Sequence, residues 1–277
     1  MSYTISAADV KKLRDQTGAG MMDCKKALAE AEGDFEKAIE VLRKKGQKLS
    51  AKRADREAKE GVVLAKISDD GKKGVVVRLS CETDFVSKNE DFIGLTDKFA
   101  SIALETFPEN LDGLLSQPFD GITIGDKVTE QIGVIGEKIE LAEYAKLEAP
   151  SVVSYIHMGN KAGVLVGLTQ DSDEAKNAGR DVAMQVAAMK PIALDKDGVD
   201  TTVVEKEIQI GKEQAKQEGK PEAMLEKIAM GKLQKFFKEN TLLNQQFVKD
   251  GKMTVKQYVQ SVSPDLEVTG FEHVKLG

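Results

Sequence analysis

Cysteine and histidine are few in this 277-residue chain, and no spacing in it assembles a site for covalent or metal chemistry. The two cysteines, Cys24 and Cys81, lie far apart and neither belongs to a C-x-x-C pair, which argues against a disulfide scaffold or a zinc site. The two histidines, His157 and His273, have no Cys cluster and no Asp/Glu spacing of metal-ligand type, so no metal and no cofactor is expected. There is no G-x-S-x-G, no P-loop and no G-x-G-x-x-G, and Gly18-Ala19-Gly20 lacks the pattern that follows in a phosphate loop. What stands out is Ser80-Cys81-Glu82-Thr83-Asp84-Phe85-Val86-Ser87-Lys88-Asn89-Glu90. Here a carboxylate, an aromatic ring and a branched aliphatic sit together in a segment that otherwise reads as a polar surface loop. Loops are polar because their backbone faces water. Phe85 and Val86 therefore have either a core to fold back into or a partner to enter, and the chemistry they suggest is recognition.

The elements on either side must position that stretch. Gly74-Val75-Val76-Val77-Arg78-Leu79 leads in as a strand. Phe92, Leu95, Phe99 and Ile102 follow on one face of a helix over 91–104. The strand pairs back on Val62-Val63-Leu64-Ala65-Lys66-Ile67 through a turn at Ser68-Asp69-Asp70-Gly71, a β-hairpin. The same strand–turn–strand–helix unit recurs further on. Val152-Val153-Ser154-Tyr155-Ile156, a turn at His157-Met158-Gly159-Asn160-Lys161, and Ala162 to Thr169 precede a helix ending in Ala187-Ala188-Met189. Gly74 to Ser80 overlays Gly163 to Thr169 without a gap, which sets Thr83-Asp84-Phe85 on Ser172-Asp173-Glu174. The shared Ser/Thr-Asp could cap the segment that follows. The aromatic in one copy only points to a contact, and the residues alone leave a tucked-in ring and an exposed anchor equally open.

Residues 5–45 read as three short helices. Ser6 caps the first, with Val10, Leu13 and Thr17 on one face. Cys24, Ala27, Leu28 and Ala31 stripe the second, which ends at Gly33. Asp34 caps the third, with Phe35, Ala38, Ile39 and Leu42 inward, ending at Gly46. Neighbours on a helix point about 100° apart, so of Met21 and Met22 one is expected to pack and the other to be available. Cys24 is expected to be buried; Cys81, following a strand, could be exposed. Residues 47–60 mix charges without apolar periodicity and read as a solvated helical linker. Residues 108–125 read as a broken, loop-rich stretch, 126–136 as a helix and 138–147 as a strand. In the second half, two amphipathic patterns meet at Gly219-Lys220-Pro221, an antiparallel helical hairpin like a short coiled coil, with Gly211 and Gly231 allowing close approach. A helix over 254–262 and a strand over 266–274 finish the chain. The fold class is α+β: a three-helix domain with its linker (1–55), a first core subdomain (56–148) and a related second one (149–277) that carries the hairpin (199–235).

Composition narrows the function. A net charge of −6 is a poor start for a nucleic-acid binder. The N-terminus enters a helix pattern without a leader, and no apolar run approaches membrane-spanning length, so a cytoplasmic protein with no membrane partner is expected. Trp is absent and aromatics make up 5%, which leaves the cores to aliphatic residues.

Two motifs carry a resemblance that spans nearly the whole chain. Thr83-Asp84-Phe85-Val86, together with Thr17-Gly18-Ala19-Gly20-Met21-Met22-Asp23-Cys24-Lys25-Lys26-Ala27-Leu28, resembles elongation factor Ts. That family exchanges guanine nucleotide on elongation factor Tu without covalent chemistry. The resemblance implies that the Asp84-Phe85 pair wedges into the nucleotide-binding domain of that GTPase beside its magnesium site. It implies further contacts from Arg14, Met21 and Met22, and from the second subdomain through the His157 turn. It also implies that the three-helix region is of the ubiquitin-associated type. The chain ends at Lys275-Leu276-Gly277, without the C-terminal helix of longer members. A competing reading is an adaptor built on the three-helix domain that binds a small ubiquitin-like partner. The two differ in whether bound GDP is released faster. An enzyme comes third, for want of a catalytic constellation.

Overall fold

A computed structural model describes residues 5–277. Three helices come first: α1 (Ala7–Thr17), α2 (Met21–Glu30) and α3 (Phe35–Arg53). Ser6 opens α1 with a reciprocal box, its hydroxyl accepting from the Asp9 N–H while Asp9 accepts from the Ser6 N–H. Asp34 caps α3 in the same spirit. Val10, Leu13, Cys24, Leu28 and Ala38 form their common core. The third helix does not stop at Gly46. It continues seven residues further to Arg53, because Gly46 is a packing residue. A Cβ there would come within 2.8 Å of the Thr129 carbonyl oxygen, and one on Gly133 within 3.2 Å of the Gly46 Cα. Two bare backbones cross where side chains would hold them apart.

The core continues with β1 (Glu60–Ile67), β2 (Lys73–Cys81), a one-turn helix α4 (Asp84–Ser87), α5 (Glu90–Thr106), α6 (Leu111–Leu115), β3 (Pro118–Phe119), β4 (Ile122–Thr123), α7 (Ile124–Ile135) and β5 (Glu140–Glu148). Then come β6 (Ser151–His157), β7 (Ala162–Leu168), α8 (Asp173–Met189), α9 (Thr201–Gln217), α10 (Glu222–Asn240), β8 (Gln246–Phe247), β9 (Asp250–Thr254), α11 (Val255–Val262) and β10 (Val268–Lys275). The expected α+β class holds. Residues 108–125 are more ordered than their sequence suggests, holding α6 and the β3–β4 mini-hairpin.

The chain divides into two compact units, residues 1–64, 76–145 and 274–277 in one, 65–75 and 146–273 in the other. The duplication runs deeper than one hairpin and helix. One three-stranded sheet has the order β1-β2-β5 and the other β6-β7-β10, so β2 and β7 are the matching centre strands. Helices α5 and α8 both have 17 residues. Each ends on a non-glycine residue in the left-handed region, Phe107 at φ 44° and Lys190 at φ 50°. Each is followed, sooner or later, by a two-stranded mini-hairpin, a helix opened by a Thr capping box (Thr123, Thr254) and a final strand.

The copies also show why the ungapped overlay misleads. The strands match at a spacing of 89 (Lys73 and Ala162 both open the centre strand), but the helix caps match at 83: Asn89 with Ser172, Phe107 with Lys190. Counted from the opening of the centre strand to the helix cap, the first copy holds six residues more, and the α4 turn lies in that surplus. Phe85 therefore has no counterpart, and Glu174 sits in the first turn of α8.

The second copy has its own insertion. Its ends are stitched together: the Ile192 N–H donates to the Asn240 carbonyl, and Leu242 and Leu243 donate to Ala193 and Leu194. Buried Gln185 donates to Gln245 and to the Gln246 carbonyl, and accepts from the Val248 N–H. Out of this base rise α9 and α10. Gly211 faces Ala229, whose Cα would lie 3.0 Å from an added Cβ, but Gly231 faces open space and has no part in the close approach.

Candidate functional site

The strand β2 ends in Cys81, fully buried and 3.2 Å from the Thr83 carbonyl oxygen. Cys81 is not exposed because the centre strand runs through it. Burial, with the nearby Glu137 carboxylate, pushes its thiol up to about 12, so no thiolate forms near neutral pH. Cys24 is buried too, and burial also raises it.

Beyond Cys81 the chain is clamped by two carboxylates. Glu137 accepts from the Glu82 N–H at 3.1 Å, the Thr83 N–H at 3.0 Å and the Thr83 hydroxyl at 2.6 Å. Thr83 stands at the N-cap position of α4, yet its side chain caps nothing and is spent on Glu137. Glu82 accepts from Arg53 Nη1 at 2.8 Å, Arg56 Nη1 at 2.9 Å and the Lys138 N–H at 2.6 Å. Desolvation raises its pKa, but these three donors outweigh it and hold the carboxyl below its ordinary range. Charge-assisted bonds of this kind are the strong ones. The end of α3, the end of β2 and the segment leading into β5 are thus tied at one knot. Sequence reasoning missed Glu82 and Glu137. Glu82 adjoins the motif, but 55 residues separate it from Glu137, and nothing local signals that pairing.

Above this knot α4 is a single turn followed at once by Asn89, whose side chain caps α5 by accepting from Asp91 and Phe92. The segment is a helical turn rather than an irregular loop. Phe85 lies on it 85% exposed. That answers the open choice between tucked-in ring and exposed residue. Val86 is half-buried. Asp84 is exposed and pairs with Lys88 at 2.7 Å, and that hydrogen bond holds its carboxyl below the usual value. Phe85 and Val86 border a cleft of about 700 Å³ whose other walls are Gln16–Gly18 at the end of α1, the start of α5, Phe119–Asp120 and the outer side of α7.

The other sequence-derived residues fall elsewhere. Arg14 is exposed on α1. Met21 and Met22 are both exposed, 59% and 64%, so neither packs. Side chains lean toward the N-terminus of their helix, and in the first turn of α2 that carries them past the helix end. None of these three lines the cleft. In the other unit, His157 is the last residue of β6, paired with Ala162, rather than part of the turn. Its Nδ1 lies 3.0 Å from the Tyr155 hydroxyl. The turn itself holds Met158, Gly159 and Asn160 in succession at positive φ, with Met158 exposed.

Among the described residues no three His, Cys, Asp or Glu side chains group as metal ligands, and no helix is long and apolar enough to cross a membrane. The arrangement offers a braced, projecting aromatic and a carboxylate, which suits docking.

Comparison with known proteins agrees with that character. The family model described as Elongation factor TS matches residues 82–277. A protein of Christiangramia forsetii named Elongation factor Ts is 56% identical over 273 residues, covering 99% of both chains. One of the same name from Flavobacterium psychrophilum is 54% identical with the same coverage. One from Chloroherpeton thalassium is 44% identical over 272 residues, covering 96% of this chain and 94% of its own. The chain belongs to the elongation factor Ts family, and its role is that of a translation elongation factor.

Proposed function

We propose that this chain is the guanine nucleotide exchange factor for elongation factor Tu and acts through the α4 turn. The observation that carries the reading is Phe85, exposed on a turn whose base is fixed by Glu82 and Glu137. A large ring held out in water is unfavourable unless a partner covers it, and aromatic anchors of this kind dominate interfaces. A rigid base means that little entropy is lost on docking. Phe85 opens a gap between helices of the GTPase's nucleotide-binding domain. Asp84, ionised and exposed, approaches the groups that hold magnesium and its waters, and leaves its Lys88 pairing to do so. Thr83 orients the turn and Val86 packs beneath it. Arg14, Met21 and Met22 grip the same domain elsewhere, and the His157 hairpin holds another domain of the partner.

No bond is made or broken. A GTPase keeps GDP through phosphate contacts and a bound magnesium ion. A partner that binds the nucleotide-free form more tightly must weaken nucleotide binding by the same factor. GDP leaves, and GTP enters. The factor carries no cofactor of its own. Such an exchange works where translation does, in the cytoplasm.

The test is GDP release from elongation factor Tu loaded with labelled nucleotide. The intact chain is expected to accelerate it. Phe85→Ala is expected to weaken docking by roughly 2 kcal/mol, about thirtyfold, while the free protein melts as before. An early-melting variant that exchanges normally once folded would return Phe85 to the core and remove the wedge. Asp84→Ala is expected to lose little affinity but to slow release most at high magnesium.

A further inference from the structure

Sulfur is distributed unevenly in this molecule. Both cysteines are buried. The methionines are the reverse: of the eight in the described residues, Met21, Met22, Met158, Met189, Met224 and Met230 are exposed, Met184 and Met253 are half-buried, and only Met253 packs against a core cluster. Most aliphatic side chains of that size go inside. Met21 and Met22 are also adjacent, both exposed by more than half, in the first turn of a helix whose N-cap Gly20 makes no side-chain cap.

We infer that Met21 and Met22 form a reversible oxidation site that switches off docking while leaving the fold intact. The inference rests on the exchange-factor reading for its consequence. A hydroperoxide transfers one oxygen to the thioether: the sulfur lone pair attacks the terminal oxygen, the O–O bond breaks, and the sulfoxide and water (or an alcohol) leave. Sulfur is oxidised by two electrons and the peroxide reduced by two. The reverse step takes two thiols of a reductase, which become a disulfide and release the oxygen as water. Each sulfoxide turns a soft apolar group into a polar one, and an apolar contact surface then has an unpaired dipole to desolvate. No described methionine is fully buried and only half-buried Met253 packs against a core cluster, so the centres of both cores do not change. Both cysteines are buried, which keeps them from competing for the hydroperoxide.

The experiment treats the full chain with hydrogen peroxide, maps oxidation by peptide mass, and measures melting and GDP release from elongation factor Tu before and after. Met21 and Met22 are expected to oxidise ahead of Met184 and Met253, melting to hold, release to slow about tenfold, and methionine sulfoxide reductases A and B with dithiothreitol to restore it. In a Met158→Leu background, which removes the exposed methionine of the His157 hairpin, the double variant Met21→Leu, Met22→Leu, whatever its own starting rate, is expected to keep that rate through oxidation. Release that survives oxidation of both residues overturns the inference, as does a double variant that remains equally sensitive. Failure of the untreated chain to release GDP at all would instead remove the exchange reading, and this inference with it.

Discussion

The two copies of the core share centre strands, 17-residue helices with left-handed ends, mini-hairpins and Thr-capped closing helices, and they differ at the passage from strand to helix. In the second copy Ser172 caps α8 four residues after the strand. In the first, the equivalent cap is Asn89, eight residues after Cys81; with the two further residues of the longer strand the surplus is six, and it carries Asp84 and Phe85. A scaffold that can close without a turn has one anyway, and holds it with a carboxylate knot. In a duplicated fold, what one copy has in surplus marks the candidate site. The second copy's surplus is the α9–α10 hairpin, stitched at its base so that its removal costs the core little.

The strongest way to break this comparison is to make the first copy like the second. Replacing residues 83–89 by a single serine removes the six-residue surplus and keeps a cap. GDP release is expected to fall at least about a hundredfold, near 2.7 kcal/mol, with cooperative melting retained. Undiminished release would mean that the surplus turn is not the working part.

Next is the knot. Glu137→Ala leaves Thr83 and two N–H groups without their acceptor, and lost hydrogen bonds to charged groups cost about 1.5–3 kcal/mol. Release is expected to slow by roughly tenfold, or 1.4 kcal/mol, with earlier melting. Thr83→Val keeps both N–H bonds and is expected to lose less; an equal loss would mean the hydroxyl is the real tie. Acid probes the same knot through Glu82. Its folded pKa is depressed, so its contribution is present above the ordinary carboxylate value and is lost below it, as pH falls through the folded pKa. Tm is expected to drop below about pH 4.3, the unperturbed glutamate value, and Glu82→Gln to flatten that slope.

A smaller effect on exchange is expected at Gly46→Ala. The methyl meets the Thr129 carbonyl, and overpacking costs typically about 1–3 kcal/mol. Melting is expected to fall by several degrees, whereas Gly231→Ala, on an open helix face, is expected to raise it slightly. The smallest change is expected from replacing residues 199–235 with a short loop: release within about threefold of the intact chain, or roughly 0.65 kcal/mol. Complete loss with folding preserved would show that the second copy's surplus works as hard as the first's.

How much of this was legible in the sequence depends on range. Caps are local, and Ser6, Asp34 and Ser172 were readable because a cap is decided within four residues. The hairpins were readable because alternation and turn chemistry are local too. Gly46 was misread as a stop, since its reason lies in α7, more than eighty residues away. The overlay of Phe85 on Glu174 failed because an ungapped match cannot register six additional residues. Met21 and Met22 defied periodicity because a helix end has no neighbour to pack on. The motif around Asp84 was visible; its bracing through Glu137 was not.

The interleaving of the two units bears on how the protein is made. One unit contains residues 1–64 and 76–145 but also 274–277, and Arg78 donates to the Lys275 carbonyl at 2.7 Å. A chain leaving the ribosome at ~5–20 residues per second therefore waits ~6–26 seconds for the 129 residues between 145 and 274 before its first-made unit is complete. Until then that unit has helices α1 to α7 but lacks the carbonyl that Arg78 holds. The bond from Arg78 to Lys275 spans 197 residues of chain, so this corner of the first unit forms only after nearly all of the second has been made.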